Sequence, residues 1–214
     1  MPVRRHEPDR RNRLIDVTLD LIAEVGVAGT SHRKIAARAG VPLGSMTYHF
    51  DGMDELLFEA FARFAETIIK RFEERLGAAT TIDEARNAVV SLIHEDLTGP
   101  QTARDAVLMF ELYTLAAREP RFRAITREWM RRSRVELERH FAPDTARQLD
   151  ALIEGLSIHR SLDPKPPGRA LTEHAIAKIT ATTASNEPSN RTRRGPTSRT
   201  ARRRRGGKRR AAAQ

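Results

Sequence analysis

The chain has 214 residues, no cysteine and a formal net charge of +10. The absence of cysteine excludes a disulfide framework and a thiolate zinc site. Residues 191–214 carry ten arginines and one lysine but no acidic residue, so the rest of the chain has a net charge of −1 and the high isoelectric point says little about the folded part.

The hydropathy pattern along the chain is helical. No segment alternates polar and apolar residues with the period of two that strands show, so the predicted fold class is all-α. We find no signal-peptide pattern and no apolar run near the roughly 18 residues that a membrane helix needs. We therefore expect a cytoplasmic protein.

The first ten residues form a predicted flexible basic arm. Four arginines lie just before the first helix: Arg4, Arg5, Arg10 and Arg11. Such an arm contacts phosphates or the minor groove of DNA in some proteins and is an ordinary solvated terminus in others, and the sequence favours neither interpretation.

The first helix is predicted over residues 11–25. Apolar residues cover so much of its circumference that we expect burial on more than one side. They are Leu14, Ile15, Val17, Leu19, Leu21, Ile22 and Val25. Gly26 and Gly29 are predicted to end this helix.

Two short helices joined by a tight turn follow, over residues 31–39 and 43–50. Gly40 stands where a helix C-terminus often needs a left-handed residue, and Pro42 stops the first helix but suits the opening turn of the second. Val41, Met46 and Phe50 are predicted to pack inward. The outer face is then left with short, polar or aromatic residues: Leu43, Gly44, Ser45, Thr47, Tyr48 and His49.

An outer face of this kind suits insertion into the major groove of DNA, because small side chains let a helix approach the base edges. Ser45, Thr47 and Tyr48 are predicted to touch base edges or nearby phosphates, and Leu43 a thymine methyl group. The alternative is an ordinary helical hairpin inside an all-helical protein.

The N-terminus of the first short helix is a predicted phosphate-binding position, because its free N–H groups favour anions. Ser31, His32 and Arg33 lie there and are assigned to the DNA backbone. Simple capping and solvation is the alternative role, with most weight for Ser31.

Residues 11–72 resemble a TetR-type transcriptional regulator. The resemblance is carried by Ala23–Gly26, Gly29-Thr30-Ser31, Ile35-Ala36, Ala39-Gly40-Val41, Gly44, Tyr48-His49-Phe50 and Leu56-Leu57. This set is more specific than helix-turn-helix spacing alone. The sequence departs from the family where Pro42 replaces a usual Ser or Thr, Thr47 a usual Tyr, and Met53 a usual Lys that contacts phosphate.

A long helix is predicted over residues 53–76, where apolar residues keep a helical period for six turns. They are Leu57, Phe61, Phe64, Ile68, Phe72 and Leu76. At about 1.5 Å per residue this helix spans roughly 35 Å. The resemblance implies that it is the lever that links a ligand site to the DNA-binding head.

Five more helices are predicted in the second half of the chain. One starts at a capping box of Thr81 and Glu84 and stops at Gly99, and the others cover residues 103–117, 121–141, 145–162 and 170–179. The helix over residues 103–117 is apolar nearly all round, so we expect it in the middle of a bundle.

The segment after Ala181 has no apolar pattern and is predicted to be disordered, because it cannot bury enough surface to offset the entropy of ordering. Its Arg-rich end either binds nucleic acid without sequence preference or is a solvated tail.

The family resemblance implies a homodimer built by the predicted helices over residues 121–141 and 145–162, which would form a four-helix bundle with those of a second copy. A single short recognition helix reads few base pairs, which also favours two copies on a palindromic DNA site. Leu149, Leu152, Ile153 and Leu156 are the predicted interface residues, with the small pair Ala151 and Gly155 allowing close approach. Intramolecular core is the alternative role for some of these residues.

A small-molecule pocket is implied by the resemblance rather than by the residues themselves. Apolar candidates at helical spacing are Met109, Phe110, Tyr113, Trp129 and Met130, and possible polar contacts are His94 and His159. Each of them is otherwise an ordinary core or surface residue.

Catalysis is not expected. The sequence has no HExxH motif, no phosphate-binding glycine loop and no Cys/His metal spacing, and the adjacent residues His94, Glu95 and Asp96 point in different directions on a helix. No cofactor or metal is predicted.

The sequence therefore predicts a ligand-responsive repressor that binds a palindromic operator as a homodimer, with an unknown effector. The predicted organisation is a basic arm (1–10), a helix-turn-helix DNA-binding domain (11–52), a helical ligand-binding and dimerisation domain (53–180) and a disordered tail (181–214). Alternatives are a DNA-binding regulator or architectural factor without a small ligand, and a helical protein–protein interaction module.

Overall fold

The computed structural model describes residues 8–94 and 100–181. Within these two ranges the chain forms nine α-helices and no strand, which confirms the all-α prediction. The helices are α1 (Pro8–Gly29), α2 (His32–Ala39), α3 (Gly44–His49), α4 (Gly52–Gly77), α5 (Ile82–His94), α6 (Pro100–Arg118), α7 (Pro120–Glu138), α8 (Pro143–Leu162) and α9 (Arg169–Ala181). Arg4, Arg5 and the predicted tail beyond Ala181 lie outside the described residues.

Helix α1 begins before the predicted residue 11, with Pro8 in its first turn, where its missing N–H costs nothing. Arg10 is therefore helical and not part of a flexible arm. Gly26 breaks the helical geometry as expected, with φ 71° and ψ 172°, and a further turn continues to Gly29. The Thr30 hydroxyl donates a hydrogen bond of 2.8 Å to the carbonyl of Gly26 and closes this turn.

The turn between α2 and α3 forms as the sequence predicts. Gly40 adopts the left-handed conformation, with φ 65° and ψ 37°, and its N–H donates to carbonyls at the end of α2. Ile35, Ala36 and Ala39 are buried, so α2 presents one small apolar face to the rest of the head. We use "head" for α1–α3 and "body" for α4–α9.

Two apolar clusters fill the molecule, and α4 passes through both. The head-side cluster joins α1–α3 and the first half of α4 to Leu108 and Leu112 of α6 and to Phe122 of α7. The far cluster joins Phe72 and Leu76 of α4 to α5, α8 and α9. Because head and body share the head-side cluster, a movement of the head must disturb packing in the body.

Two expectations about the body need correction. Helix α6 is not buried on every side: Leu108 and Leu112 are fully buried, but Val107 is 37% exposed, since α6 packs mainly against α1 and α7 and its remaining face meets solvent. Helix α7 ends at Glu138 and not near Phe141, because the N–H groups of Arg139 and His140 form tight turns onto the carbonyls of residues 136 and 137.

The predicted start of α5 is confirmed in atomic detail. The N–H of Glu84 donates to the Thr81 hydroxyl at 3.2 Å, and the Glu84 carboxylate accepts from the Thr81 N–H at 3.1 Å. This reciprocal pair satisfies two donors that a helix start otherwise leaves open. In the two described ranges, no helix is long and apolar enough to cross a membrane.

Candidate DNA-binding and effector sites

Helix α3 is anchored by two buried side chains and displays the rest. Met46 is 1% exposed and Phe50 is 3% exposed, whereas Tyr48 is 75% and Leu43 is 54% exposed. Gly44 and Thr47 are also exposed, and Ser45 and His49 are half-buried. The predicted division of α3 into an inner and an outer face is therefore confirmed, and its contacts with bases stay predictions.

The outer face of α3 is held by short-range contacts. The Tyr48 ring meets the His49 ring edge-on, with 4.9 Å between centroids, and the Thr47 hydroxyl donates to the Gly44 carbonyl at 3.2 Å. A large, exposed aromatic ring without burial contributes little to folding, so Tyr48 is available for a partner.

The N-terminus of α2 carries exposed cationic side chains. Ser31 caps the helix, its hydroxyl accepting from the N–H of Lys34 at 3.4 Å. His32 is half-buried and Arg33 is exposed, and in the described ranges Arg33 forms no ion pair. Lys34, which sequence reasoning did not single out, is exposed and its ammonium donates to the Gly29 carbonyl at 2.6 Å.

Arg11 has an intramolecular role in this structure. Its guanidinium pairs with Glu59 of α4 and stacks over the Phe50 ring at 5.0 Å from the centroid. It therefore ties α1 to α4 and to the end of α3, which leaves Arg4 and Arg5, outside the described residues, as the arm's candidates for DNA contact.

A cavity of about 120 Å³ lies in the body, where the two apolar clusters meet. Five helices, α4 to α8, contribute to its wall. The lining residues are Ile68, Arg71, Phe72, Leu92, Asp105, Ala106, Met109, Trp129, Ser133, Asp150, Ile153, Glu154, Ser157 and Ser161.

The structure brings only some of the predicted ligand residues together at this cavity. Met109 and Trp129 line it, and Tyr113 lies behind Trp129 with 6.4 Å between ring centroids. Phe110 and Met130 do not line it, because each follows a lining residue by one position and a helix turns about 100° per residue.

The two predicted histidines lie elsewhere. His94 shares a hydrogen bond of 2.8 Å with the Thr172 hydroxyl, which fastens α5 to α9. His159 is exposed on α8. Neither ring lines the cavity.

Sequence reasoning missed the polar side of the cavity, which α8 supplies. Asp150, Glu154, Ser157 and Ser161 follow one another at spacings of four, three and four, so they lie on one face of the helix. This regular row of polar residues, on a helix that also has a buried apolar face, was the signal in the sequence that could have indicated the polar wall of a cavity. A helix whose polar side only meets solvent does not need such a row.

The acidic groups on this stripe are held in a desolvating environment. Burial raises the pKa of Asp150 to about 6, although Arg134 lies 3.6 Å away and opposes the shift. Burial also raises the pKa of Glu154, whose carboxylate accepts a hydrogen bond from the Tyr113 hydroxyl. Burial, together with the neighbouring Glu154, raises the pKa of Tyr113 as well, so the phenol stays a donor.

A row of alternating charges runs from this cavity to the head. The Arg71 guanidinium donates to Asp105 at 2.9 Å, Asp105 also lies 3.5 Å from Arg104, and Arg104 donates to Asp20 of α1 at 2.8 Å. Arg71 and Asp105 line the cavity, and Asp20 belongs to the head.

The residues predicted for a dimer interface divide into two groups. Leu149 is fully buried in the far cluster of its own chain, so intramolecular packing replaces its predicted role at an interface. Leu152, Ile153 and Leu156 are partly buried, and Ile153 lines the cavity. On the outer side Ala151 is exposed, and a Cβ on Gly155 would meet no atom within 4 Å.

No group of three or more His, Asp or Glu side chains in residues 8–94 and 100–181 is arranged to hold a metal ion.

Comparison with known families matches both halves of the chain. Residues 14–60 match bacterial regulatory proteins of the tetR family, and residues 80–182 match the tetracyclin repressor-like C-terminal domain. Among curated proteins, the transcriptional regulator BetI of Escherichia coli O157:H7 is 29% identical over 83% of this chain and 97% of its own length.

Solved structures agree with these matches. A transcriptional regulator from Streptomyces coelicolor A3(2) is 63% identical, with a TM-score of 0.75 over 81% of this chain and 99% of that chain. The multidrug binding protein EbrR, solved with ethidium, is 30% identical, with a TM-score of 0.68 over 81% of this chain and 99% of its own. The displayed α3 face, the long helix that connects it to a cavity and these matches lead to one conclusion: the chain belongs to the TetR family and is a ligand-responsive, DNA-binding transcriptional regulator.

Proposed function

We propose that the protein is a repressor that binds a palindromic operator as a homodimer and leaves it when an effector fills the cavity between α4 and α8. The observation that carries this proposal is the course of α4. It begins directly after α3, and two of its later turns supply Ile68 and Phe72 to the cavity wall. One rigid helix thus touches both sites.

The DNA-binding part of the proposal rests on the head, residues 11–52. Thr47, Tyr48, Ser45 and Leu43 would contact base edges or nearby phosphates in the major groove, with Gly44 and His49 beside them. Ser31, His32 and Arg33 at the start of α2 would contact phosphates, which fix the position of the head but do not read sequence. The exposure of Tyr48 and Arg33 supports this assignment.

The homodimer would place two α3 helices in successive major grooves, about 34–36 Å apart. Residues 53–180 would supply both the interface and the effector site. The partly buried Leu152 and Leu156, together with the open position at Gly155, support α8 as part of the interface.

The release step would be a shift between two populations of head spacing. An effector that contacts Ile68 and Phe72 favours α4 orientations that fit the ligand, and the operator favours those that fit two grooves. Coupling of this kind is typically worth about 1–3 kcal/mol, a 5- to 150-fold change in operator affinity. The relative EbrR has been solved with ethidium, malachite green and proflavin, which supports a small-molecule site here.

Selection of DNA from a random pool by the full-length chain tests the DNA-binding part. We expect enrichment of a palindrome whose half-site centres lie about 10–10.5 base pairs, or a multiple of that, apart. The matched control is Thr47→Ala in the same chain, which keeps the Arg-rich tail and the fold but changes the α3 face. A pool without a palindrome, or the same enrichment by the control, contradicts the proposal.

A thermal-shift panel of metabolites and drug-like compounds, followed by release assays on the selected operator, tests the effector part. We expect at least one stabilising compound that also lowers operator affinity. Operator binding that no stabilising compound affects would instead favour a regulator without a small ligand.

A further inference from the structure

We infer that the effector is an organic cation with an apolar or aromatic body, and that Asp150 and Glu154 of α8 recognise its charge. This inference rests on the proposed function, since it names the chemistry of the ligand in the same cavity. Its basis is the shape and polarity of the cavity wall, together with the weak charge pairing of the two carboxylates of α8.

Most of the wall is apolar and partly aromatic. Phe72 and Ile68 of α4, Leu92 of α5, Met109 of α6 and Trp129 of α7 form this part. Trp129 is fixed in place, because its ring packs edge-on against Phe64 with 6.1 Å between centroids. A wall of this kind binds the body of a ligand by burial of apolar surface.

The remaining wall is acidic. Asp105, Asp150 and Glu154 line the cavity, and Arg71 is the cation that lines it. Arg71 lies 2.9 Å from Asp105, which a second cation, Arg104, approaches at 3.5 Å. Arg71 is therefore paired with Asp105 and does not neutralise the two carboxylates of α8.

Glu154 has no cationic partner in the described parts of the chain, and Asp150 has one, Arg134, which does not line the cavity. The Arg134 guanidinium lies 3.6 Å from the Asp150 carboxylate, within ion-pair range but longer than a hydrogen bond. Glu154 accepts a hydrogen bond from Tyr113 and forms no ion pair in residues 8–94 and 100–181. Buried charges in proteins are normally paired, so a pair of under-compensated carboxylates in a ligand cavity calls for a positive ligand group.

The arrangement also discriminates against other ligand classes. An anion would face two carboxylates across an apolar space, where repulsion is weakly screened. A neutral aromatic ligand would gain the contacts with Trp129 and Met109 but would leave Glu154 buried without a counter-charge and Asp150 with Arg134 alone. A cation gains the carboxylates and also the neighbourhood of the Trp129 ring, an aromatic group of the kind that attracts positive charge.

The test is equilibrium titration of the full-length chain, in the absence of DNA, with three planar probes. Ethidium is the cation, 6-phenylphenanthridine is its uncharged ring system, and fluorescein is the anion. We expect ethidium to bind at least about tenfold more tightly than the neutral probe, which is the scale of one desolvated charge pair. Fluorescein should not bind.

Three variants assign the charge recognition to residues. Asp150→Asn and Glu154→Gln should each weaken ethidium about tenfold or more and leave the neutral probe within about twofold. The control Glu128→Gln removes an exposed carboxylate of α7 that pairs with Arg131 outside the cavity, and it should change neither affinity. Thermal unfolding of each variant verifies that it is folded.

The pH profile gives a second readout. Ethidium affinity should fall as the pH is lowered from 7.5 to 5.5, because Asp150 takes up a proton, and the fall should be smaller in Asp150→Asn. The other charged groups around Asp150 are Arg134 of α7, Glu154 of α8 and, across the cavity, Asp105 and Arg71, and all of them remain in that variant.

The outcomes separate this inference from the proposed function. Neutral or anionic probes that bind as tightly as ethidium, or folded α8 variants that bind ethidium as the parent does, overturn the cation inference while the effector site stands. If none of the three probes binds and no compound of the thermal-shift panel releases the operator, the effector site itself is refuted, and the cation inference with it.

Discussion

Replacement of Asp150 by asparagine should make the protein more stable while it weakens cation binding. The Asp150 side chain is 19% exposed, and its pKa is raised from an ordinary 3.8 to about 6, mainly by burial. A shift of about two pKa units corresponds to about 3 kcal/mol of disfavour for the ionised form at neutral pH. The amide removes that cost but also leaves Arg134 without its carboxylate, so we expect a net gain of about 1–2 kcal/mol.

The same raised pKa of Asp150 also fixes how the effect should depend on pH. Because the folded-state pKa of Asp150 lies above the unfolded value, the folded state binds more protons between pH 3.8 and about 6. This group's contribution to stability is therefore fully present below pH 3.8 and is lost as the pH rises through about 6. The parent chain should lose stability relative to Asp150→Asn over that interval.

The assay is thermal or denaturant unfolding of both chains from pH 5 to pH 7.5. For a protein of this size a gain of 1 kcal/mol raises Tm by about 2–4 °C, so the variant should melt about 2–8 °C higher at pH 7.5, and the gap should narrow at pH 5. Asp16→Asn, at an exposed carboxylate that pairs with Arg63, is the matched control and should not show this dependence. A variant that melts lower at pH 7.5, or a gap independent of pH, refutes the reasoning.

Three further predictions concern the head and the interface. Tyr48→Ala should weaken operator binding by about tenfold or more, the loss expected for a contact worth 1–3 kcal/mol, with Tm unchanged because the ring is 75% exposed; unchanged affinity in a gel-shift titration would remove Tyr48 from the interface. If the proposed homodimer uses α8, Gly155→Arg should give a folded monomer in sedimentation experiments, since a Cβ there meets no atom of its own chain within 4 Å, and a dimer that persists would place the interface elsewhere. Gly26→Ala should lower the free energy of unfolding by about 1–3 kcal/mol, because φ is 71° and a Cβ would lie 2.7 Å from the Glu111 carboxylate; an unaffected urea midpoint would show that the turn rearranges freely.

Local signals in the sequence were sufficient to predict the head. The left-handed Gly40 and the outward-facing Leu43 and Tyr48 are fixed within a few residues of chain, so spacing predicts them, whereas it left the cap of α2 open between Thr30 and Ser31. The same holds for the capping box of Thr81 and Glu84 at the start of α5.

The cavity could not be predicted in the same way, because its wall depends on how five helices are rotated against one another. Met109 and Trp129 line it, whereas their neighbours Phe110 and Met130 do not, and nothing in composition distinguishes each pair. The partner of His94 is Thr172, 78 residues further along the chain. A contact between residues so far apart in the sequence depends on how the helices pack, and the residues next to either partner do not indicate it.

The alternating row from Arg71 through Asp105 and Arg104 to Asp20 gives the head a second connection to the cavity, in parallel with the covalent one through α4. The two connections respond differently to the solvent. Salt screens the Arg104–Asp20 pair, whose carboxylate is 52% exposed, but it does not alter the stiffness of a helix. The quantity to measure is the ratio of operator affinities without and with effector, in which the general salt dependence of DNA binding cancels. If the charged row helps to transmit effector binding to the head, this ratio should approach one as the ionic strength rises. A regulator with this second connection would respond to the salt concentration of its surroundings as well as to its ligand.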